Sequence, residues 1–208
     1  MKKPSNYLKD IDPILGQIID KDLEPLAPRG SVYEGLLRSI ISQQISVAAA
    51  NSVREKFLKN FGGKFPPPKV LVNLKDEDLA GCGLSRQKIS YVKNVGKHWV
   101  EESLDESKFQ KMSDQEIIDD LTKIKGVGTW TVEMLLIFNL QRPDIFSVKD
   151  LGLVTPMYKL YKINPKRYKP KNLQKKLINI AEKWSPHRSL ACRYLWNYKD
   201  GQVFKNPL

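Results

Sequence analysis

Apolar residues recur at helical spacing along most of this chain. Val32, Leu36 and Ile40, with Leu37 and Ile41, stand three and four positions apart and define one face of an α-helix. That run breaks at Ser42-Gln43-Gln44, where two helices are expected to meet. Ser46 is placed to cap a second helix through VAAANSVREKFLKNF, and Gly62-Gly63 to end it in the left-handed conformation, with Lys64 to Pro68 as an irregular loop. Ser85 precedes a helical RQKISYVKNVGKHWV, and Ser113 with Glu116 forms a capping box that opens QEIIDDLTKI. Only Ile145 to Val148 reads as a short strand. No low-complexity linker divides the chain, so the pattern predicts an all-α, two-lobed domain.

One segment combines this periodicity with a sharp turn. In LTKIKGVGTWTVEMLLIF, a helix ending near Ile124 runs into Gly126-Val127-Gly128, and a new helical run follows from Thr129 through Trp130, Met134 and Phe138. Paired glycines let the backbone turn tightly and approach another surface closely, while free amides at the second helix's start can bind phosphate oxygens. Such a hairpin grips a nucleic-acid backbone without reading bases. A lone Gly-x-Gly reads first as an ordinary helix C-cap, so the flanking chain must decide. Gly81-Cys82-Gly83 echoes the motif 45 residues earlier, but one pair of turns does not establish a repeat.

Charge adds direction. Lys and Arg outnumber Asp and Glu by 35 to 23 over 208 residues. Residues 155–208 hold thirteen basic and two acidic side chains, so a polyanion-binding surface is expected to draw heavily on the C-terminal third. Two cysteines, Cys82 and Cys192, are too few for a disulfide framework and too far apart for a zinc or iron–sulfur site. His98 and His187 have no partners at metal-ligand spacing. Neither a signal peptide nor a run of eighteen apolar residues is present, which points to a soluble, intracellular protein of cytoplasm, nucleoid or nucleus, with no membrane partner.

IKGVGTWTVEMLLIF, with Asp150 lying 22 residues after Gly128, resembles the hairpin and aspartate of the helix-hairpin-helix DNA glycosylases. The similarity is to the 3-methyladenine DNA glycosylase II branch. YEGLLRSIISQQISVAAANSV, GLSRQKISYVKNVG and WSPHRSLACRYLWNY also resemble that branch, in the family's order, and together they span most of the chain. There is no room before residue 30 for the extra N-terminal domain of longer bacterial members, so a compact form is expected. The resemblance implies one glycosylase domain over residues 1–208: the N- and C-terminal segments form one lobe, the central helices the other, with a cleft between. It implies a monomer that acts without cofactor on double-stranded DNA containing damaged bases.

The chemistry of that family needs an anion. Breaking an N-glycosidic bond develops positive charge on the sugar, which an ionised carboxylate can stabilise. Asp150 is the catalytic candidate. As a plain alternative it caps the following helix, and the two roles are compatible, since helix-start amides and Lys149 both attract negative charge there. Gly152 and Pro156 predict an irregular helix after it. By resemblance Gln44 is the wedge that fills the gap left by a flipped nucleotide, and Trp130, Met134, Leu151 and Trp196 line the base pocket. Trp99 and Trp184 read as core. Gly126, Val127, Gly128 and Thr129 would contact the DNA backbone, and the carbonyls of Thr122, Ile124 and Val127 would hold a monovalent cation. Strand-cleaving relatives place a lysine where Trp130 stands, so the resemblance implies a monofunctional enzyme that excises alkylated purines, 3-methyladenine and 7-methylguanine. Two other readings remain open: a glycosylase for a different lesion, such as a deaminated base, and a noncatalytic helix-hairpin-helix DNA-binding module.

Overall fold

A computed structural model describes residues 2–27 and 29–200. They are helical: α1 (Pro4–Ile11), α2 (Pro13–Gly16), α3 (Val32–Ser42), α4 (Val47–Lys59), α5 (Pro68–Asn73), α6 (Asp76–Ala80), α7 (Arg86–Glu101), α8 (Glu106–Lys111), α9 (Asp114–Leu121), α10 (Thr129–Phe138), α11 (Leu151–Leu160), α12 (Pro170–Glu182) and α13 (Arg188–Asp200). A single 3-10 turn lies at Pro165–Arg167. The described residues fall into two compact units, one built from the chain up to Ala27 with the chain from Gln141 onward, the other from the chain between.

Local chemistry starts the helices. Ser31, Ser46 and Ser85 accept the amides of Glu34, Ala49 and Lys88, three residues on in each case. Ser113 and Glu116 form the full capping box at α9. Proline opens α1, α2, α5 and α12, where its missing N–H costs nothing. Helix α4 ends at Lys59, earlier than Gly62-Gly63 suggested, and the Gly63 amide closes back on the Leu58 carbonyl.

In the central unit α7 packs against α5 and α3, and α10 against α3 and α9. Leu36, Leu37, Ile40 and Ile41 of α3 are fully buried, as are Val92 and Val95 of α7 and Val132 and Leu136 of α10. Trp99 lies in the same interior against Tyr33 and Phe109.

In the other unit α11 packs on α13, and α1 on α2 and α13. Its anchor is Asp12, only 5% exposed. One Asp12 oxygen caps α2, and the other accepts the Tyr161 hydroxyl at 2.5 Å and the Trp184 indole N–H at 2.9 Å. Burial, and then the Asp12 carboxylate, raise the pKa of the Tyr161 phenol. Trp184 is thus core, as its sequence setting suggested.

The expected strand at Ile145 to Val148 is not one, and no strand occurs among the described residues. The Ile145 amide donates to Ser189 Oγ at 3.0 Å, and its carbonyl accepts the Cys192 thiol. Side chains of α13 thus take the backbone groups that a neighbouring strand would have paired. Nor does α11 break: it is helical through Pro156.

Candidate functional site

The sequence-predicted residues divide between the two units. Asp150, Leu151 and Trp196 belong to the terminal unit; Gln44, the hairpin, Trp130 and Met134 belong to the central one.

Asp150 is the N-cap of α11, its backbone extended and its Oδ1 accepting the Leu153 amide at 3.1 Å. The indole N–H of Trp196, from α13, points at the same oxygen at 3.4 Å. Both side chains are buried, Asp150 to 6% and Trp196 to 4% exposure. Gly152 makes that meeting possible. A Cβ built there would stand 2.8 Å from Asp150 Oδ1 and 2.9 Å from Trp196 Cδ1, inside any tolerable contact. Gly152, an unfavourable residue inside a helix, therefore serves close approach of an aromatic ring to a carboxylate. Leu151, the first residue of α11, is 75% exposed, an apolar side chain held outward next to Asp150.

The hairpin begins where α9 ends at Leu121. The Thr122 hydroxyl donates back to the Ile118 carbonyl, and the Val127 amide closes a turn on the Ile124 carbonyl at 3.0 Å. Gly126 has φ +104°, a conformation open only to glycine at ordinary cost, and its Cα faces the ring of Tyr91, which a Cβ would meet at 2.3 Å. Gly128 is the N-cap of α10, exposed and with ordinary φ, and a Cβ there would meet nothing within 4 Å. Having no side-chain oxygen to offer the first-turn amides, a glycine N-cap suits an approaching anion. On α10, Trp130 is half-buried and Met134 fully buried.

Gln44 is exposed in the turn between α3 and α4, at φ +58°. Ile45 and Val47 beside it are 39% and 76% exposed, so this loop presents apolar surface as well as an amide. Its neighbour Gln43 turns inward, and its Nε2 donates to the Gly126 carbonyl at 3.0 Å. Helix α7 braces both features. The Lys88 ammonium donates to the Ile41 carbonyl at 2.7 Å, Asn94 to the Lys125 carbonyl at 3.3 Å, and Tyr91, bonded by Gln87, backs Gly126. Burial lowers the Lys88 pKa. Sequence reasoning missed Gln43, Lys88, Tyr91 and Asn94; the only local signal was the i, i+3, i+6 spacing of the last three along one side of α7.

A helical fold with a Gly-x-Gly hairpin and a buried aspartate capping a later helix defines the class, and comparison with known proteins agrees. Residues 37–183 match the model of the HhH-GPD superfamily base excision DNA repair proteins, and the chain belongs to that superfamily. It is 34% identical to DNA-3-methyladenine glycosylase 1 of Schizosaccharomyces pombe, over 85% of this chain and 76% of that protein. Bacillus subtilis YfjP is 30% identical over 83% of the chain, which spans only 60% of that relative's length. Among solved structures, the Schizosaccharomyces pombe 3-methyladenine DNA glycosylase in complex with abasic DNA superposes with a TM-score of 0.80 at 27% identity, covering 99% of this chain and all of that one.

Proposed function

We propose that this chain is a monofunctional DNA glycosylase that flips alkylated purines, 3-methyladenine and 7-methylguanine, out of duplex DNA and hydrolyses their bond to the sugar in base excision repair. It acts as a monomer on the DNA of the cell. The observation that carries the reading is the buried Asp150 carboxylate, held by an amide and an indole N–H at a helix start. Its superfamily membership and the names of its relatives support the same reading.

Alkylation at N3 or N7 puts a positive charge on the purine and weakens its bond to C1′. The base leaves with the bonding electron pair and becomes neutral; water adds its oxygen to C1′ and gives up a proton to solvent. Asp150 stabilises the positive charge that builds on the sugar between these events. The Trp196 indole fixes the carboxylate and offers an aromatic edge to the departing base, with Leu151 beside it. Trp130 on α10 offers an aromatic face, over which a cationic base gains roughly 0.5 to 2 kcal/mol, and Met134, fully buried, belongs to the packed interior of the same helix. Gly126 to Thr129 take backbone phosphates at the amides that open α10, and Gln44 enters the stack behind the flipped base. A monovalent cation on the carbonyls of Thr122, Ile124 and Val127 fits the curl of the hairpin, since a carbonyl that accepts one amide keeps a second lone pair. Trp130 stands where a Schiff-base lysine would be needed, so the strand stays uncut.

Asp150→Asn tests this. Asparagine caps helices as well as aspartate does. The variant is expected to fold and to bind DNA while single-turnover excision from methylated duplex falls by at least about a hundredfold. Chromatography of the released bases, beside a gel run before alkaline treatment, reads substrate and strand integrity together. Near-normal excision by the variant sinks the role of Asp150, and release only of bases that carry no charge while still in DNA, such as uracil, sinks the substrate assignment.

A further inference from the structure

A basic groove lies along α12, apart from the residues assigned above. Its cavity of about 450 Å³ is lined by Tyr168, Asn172, Lys175, Lys176, Asn179, Ile180 and Lys183. Asn172, Lys176, Asn179 and Lys183 recur at spacings of four, three and four, so they form one stripe on the helix. At 1.5 Å per residue the stripe rises roughly 16 Å. No acidic side chain lines the groove. The Lys176 ammonium lies 5.5 Å from the centre of the Tyr168 ring, which steers it without neutralising it.

Nothing in the chemistry assigned to Asp150 uses these groups, which hold three of the thirteen basic side chains of residues 155–208. Ammonium groups gathered on one groove repel one another, and amide donors between them do not relieve that. A ligand that brings several negative charges in a row does. Duplex DNA carries one charge per about 1.7 Å of axis, and its phosphates accept from ammonium and amide donors alike. A compact anion would satisfy one end of a stripe of this length; a polynucleotide backbone satisfies all of it.

We infer that the α12 groove is a second DNA-backbone site, which holds a run of phosphates independently of the hairpin. The inference rests on the glycosylase reading only for the identity of the polyanion, and its test needs no excision. Lys175→Gln, Lys176→Gln and Lys183→Gln together remove three charges at exposed or half-buried positions. Affinity for undamaged duplexes of about 15 and 40 base pairs is measured by anisotropy across a potassium chloride series. Each phosphate contact contributes roughly 0.9 to the slope of log affinity against log salt, so the triple variant is expected to lose two to three from that slope on the longer duplex. The corresponding lysine-to-arginine variant keeps the charge and is expected to keep the slope, which separates charge from shape. Single-turnover excision at saturating enzyme stays at the wild-type rate. An unchanged slope on both duplexes, with an unchanged melting temperature, overturns the second site, whether or not the wild type excises alkylated bases. Loss of slope in the arginine variant as well also overturns it.

Discussion

Gly126→Ala and Gly128→Ala, two residues apart, should behave oppositely. At Gly126 the added Cβ meets the Tyr91 ring at 2.3 Å, and φ +104° is a backbone conformation that alanine adopts only under strain. Such strain costs of order 1–3 kcal/mol, and overpacking typically another 1–3. Tyr91 cannot simply swing aside, because Gln87 holds its hydroxyl at 2.7 Å. The sum, about 2–6 kcal/mol, corresponds to a melting temperature lower by roughly 4–24 °C for a domain of this size. At Gly128 φ is −102° and the added methyl points into open space. Exchanging glycine for alanine at an N-cap costs a fraction of a kcal/mol, and the less flexible unfolded chain offsets about as much. Stability there stays near wild type. Binding should behave differently if the α10 amides take a phosphate as proposed, because that methyl would then stand in its path; Gly128→Ala should weaken damaged and undamaged duplex alike. Thermal unfolding by circular dichroism, paired with anisotropy on undamaged duplex, separates the two effects. Equal melting temperatures for both variants would refute the strain argument, and wild-type affinity in Gly128→Ala would refute the hairpin contact.

Three more outcomes follow from single contacts. Gly152→Ala should force Trp196 away from Asp150 and lower single-turnover excision about tenfold or more with little change in affinity for undamaged duplex; unchanged excision would mean that the indole contact is idle. Gln43→Ala removes the link from the Gln44 loop to the hairpin carbonyl, worth about 1 kcal/mol, and should reduce base unstacking, read by 2-aminopurine fluorescence, five- to tenfold. An unaltered fluorescence rise would show that hairpin and loop act separately. Tyr161 keeps its proton in the folded protein above pH 10.0, where an unfolded tyrosine loses it. The unfolded state then binds fewer protons, so stability falls with rising pH, by up to about 1.4 kcal/mol per unit for each such group. Tyr161→Phe should flatten that alkaline fall in a melting-temperature profile, and a profile as steep as wild type would exclude Tyr161 as its source.

What could be read from the sequence was what acts within about four residues. The caps at Ser46, Ser85, Ser113 and Asp150 stand where expected, because a cap is one oxygen reaching an amide three positions on. The Gly-x-Gly turn was legible for the same reason. Contacts that join distant segments were not: Gln43 reaches across 83 residues to Gly126, and Asp12 across 172 to Trp184. Gly152 was misread as a weakness of α11 because its reason, the Trp196 ring, arrives from another helix. Ile145 to Val148 looked like a strand because extended backbone and β-branched residues mark strands locally; which partners take its amides is a property of α13.

Capping alone does not account for Asp150. Asp105 performs the same local task at α8, accepting the Lys108 amide at 3.1 Å, and it does so exposed to water. A cap is worth about 1 kcal/mol, whereas taking a carboxylate out of water costs several unless charged or hydrogen-bonding partners compensate. Asp150 is buried to 6% exposure with the Leu153 amide and the Trp196 indole N–H meeting at one oxygen, more than a cap alone requires and an arrangement suited to a carboxylate that stabilises positive charge. Asp150→Asn keeps the cap and removes the charge, so its melting temperature should stay near that of the wild type while excision collapses. Asp105→Ala should do the reverse, lowering the melting temperature slightly and leaving excision alone. A clear loss of stability in Asp150→Asn, larger than that of Asp105→Ala, would show that the carboxylate is held chiefly for the fold.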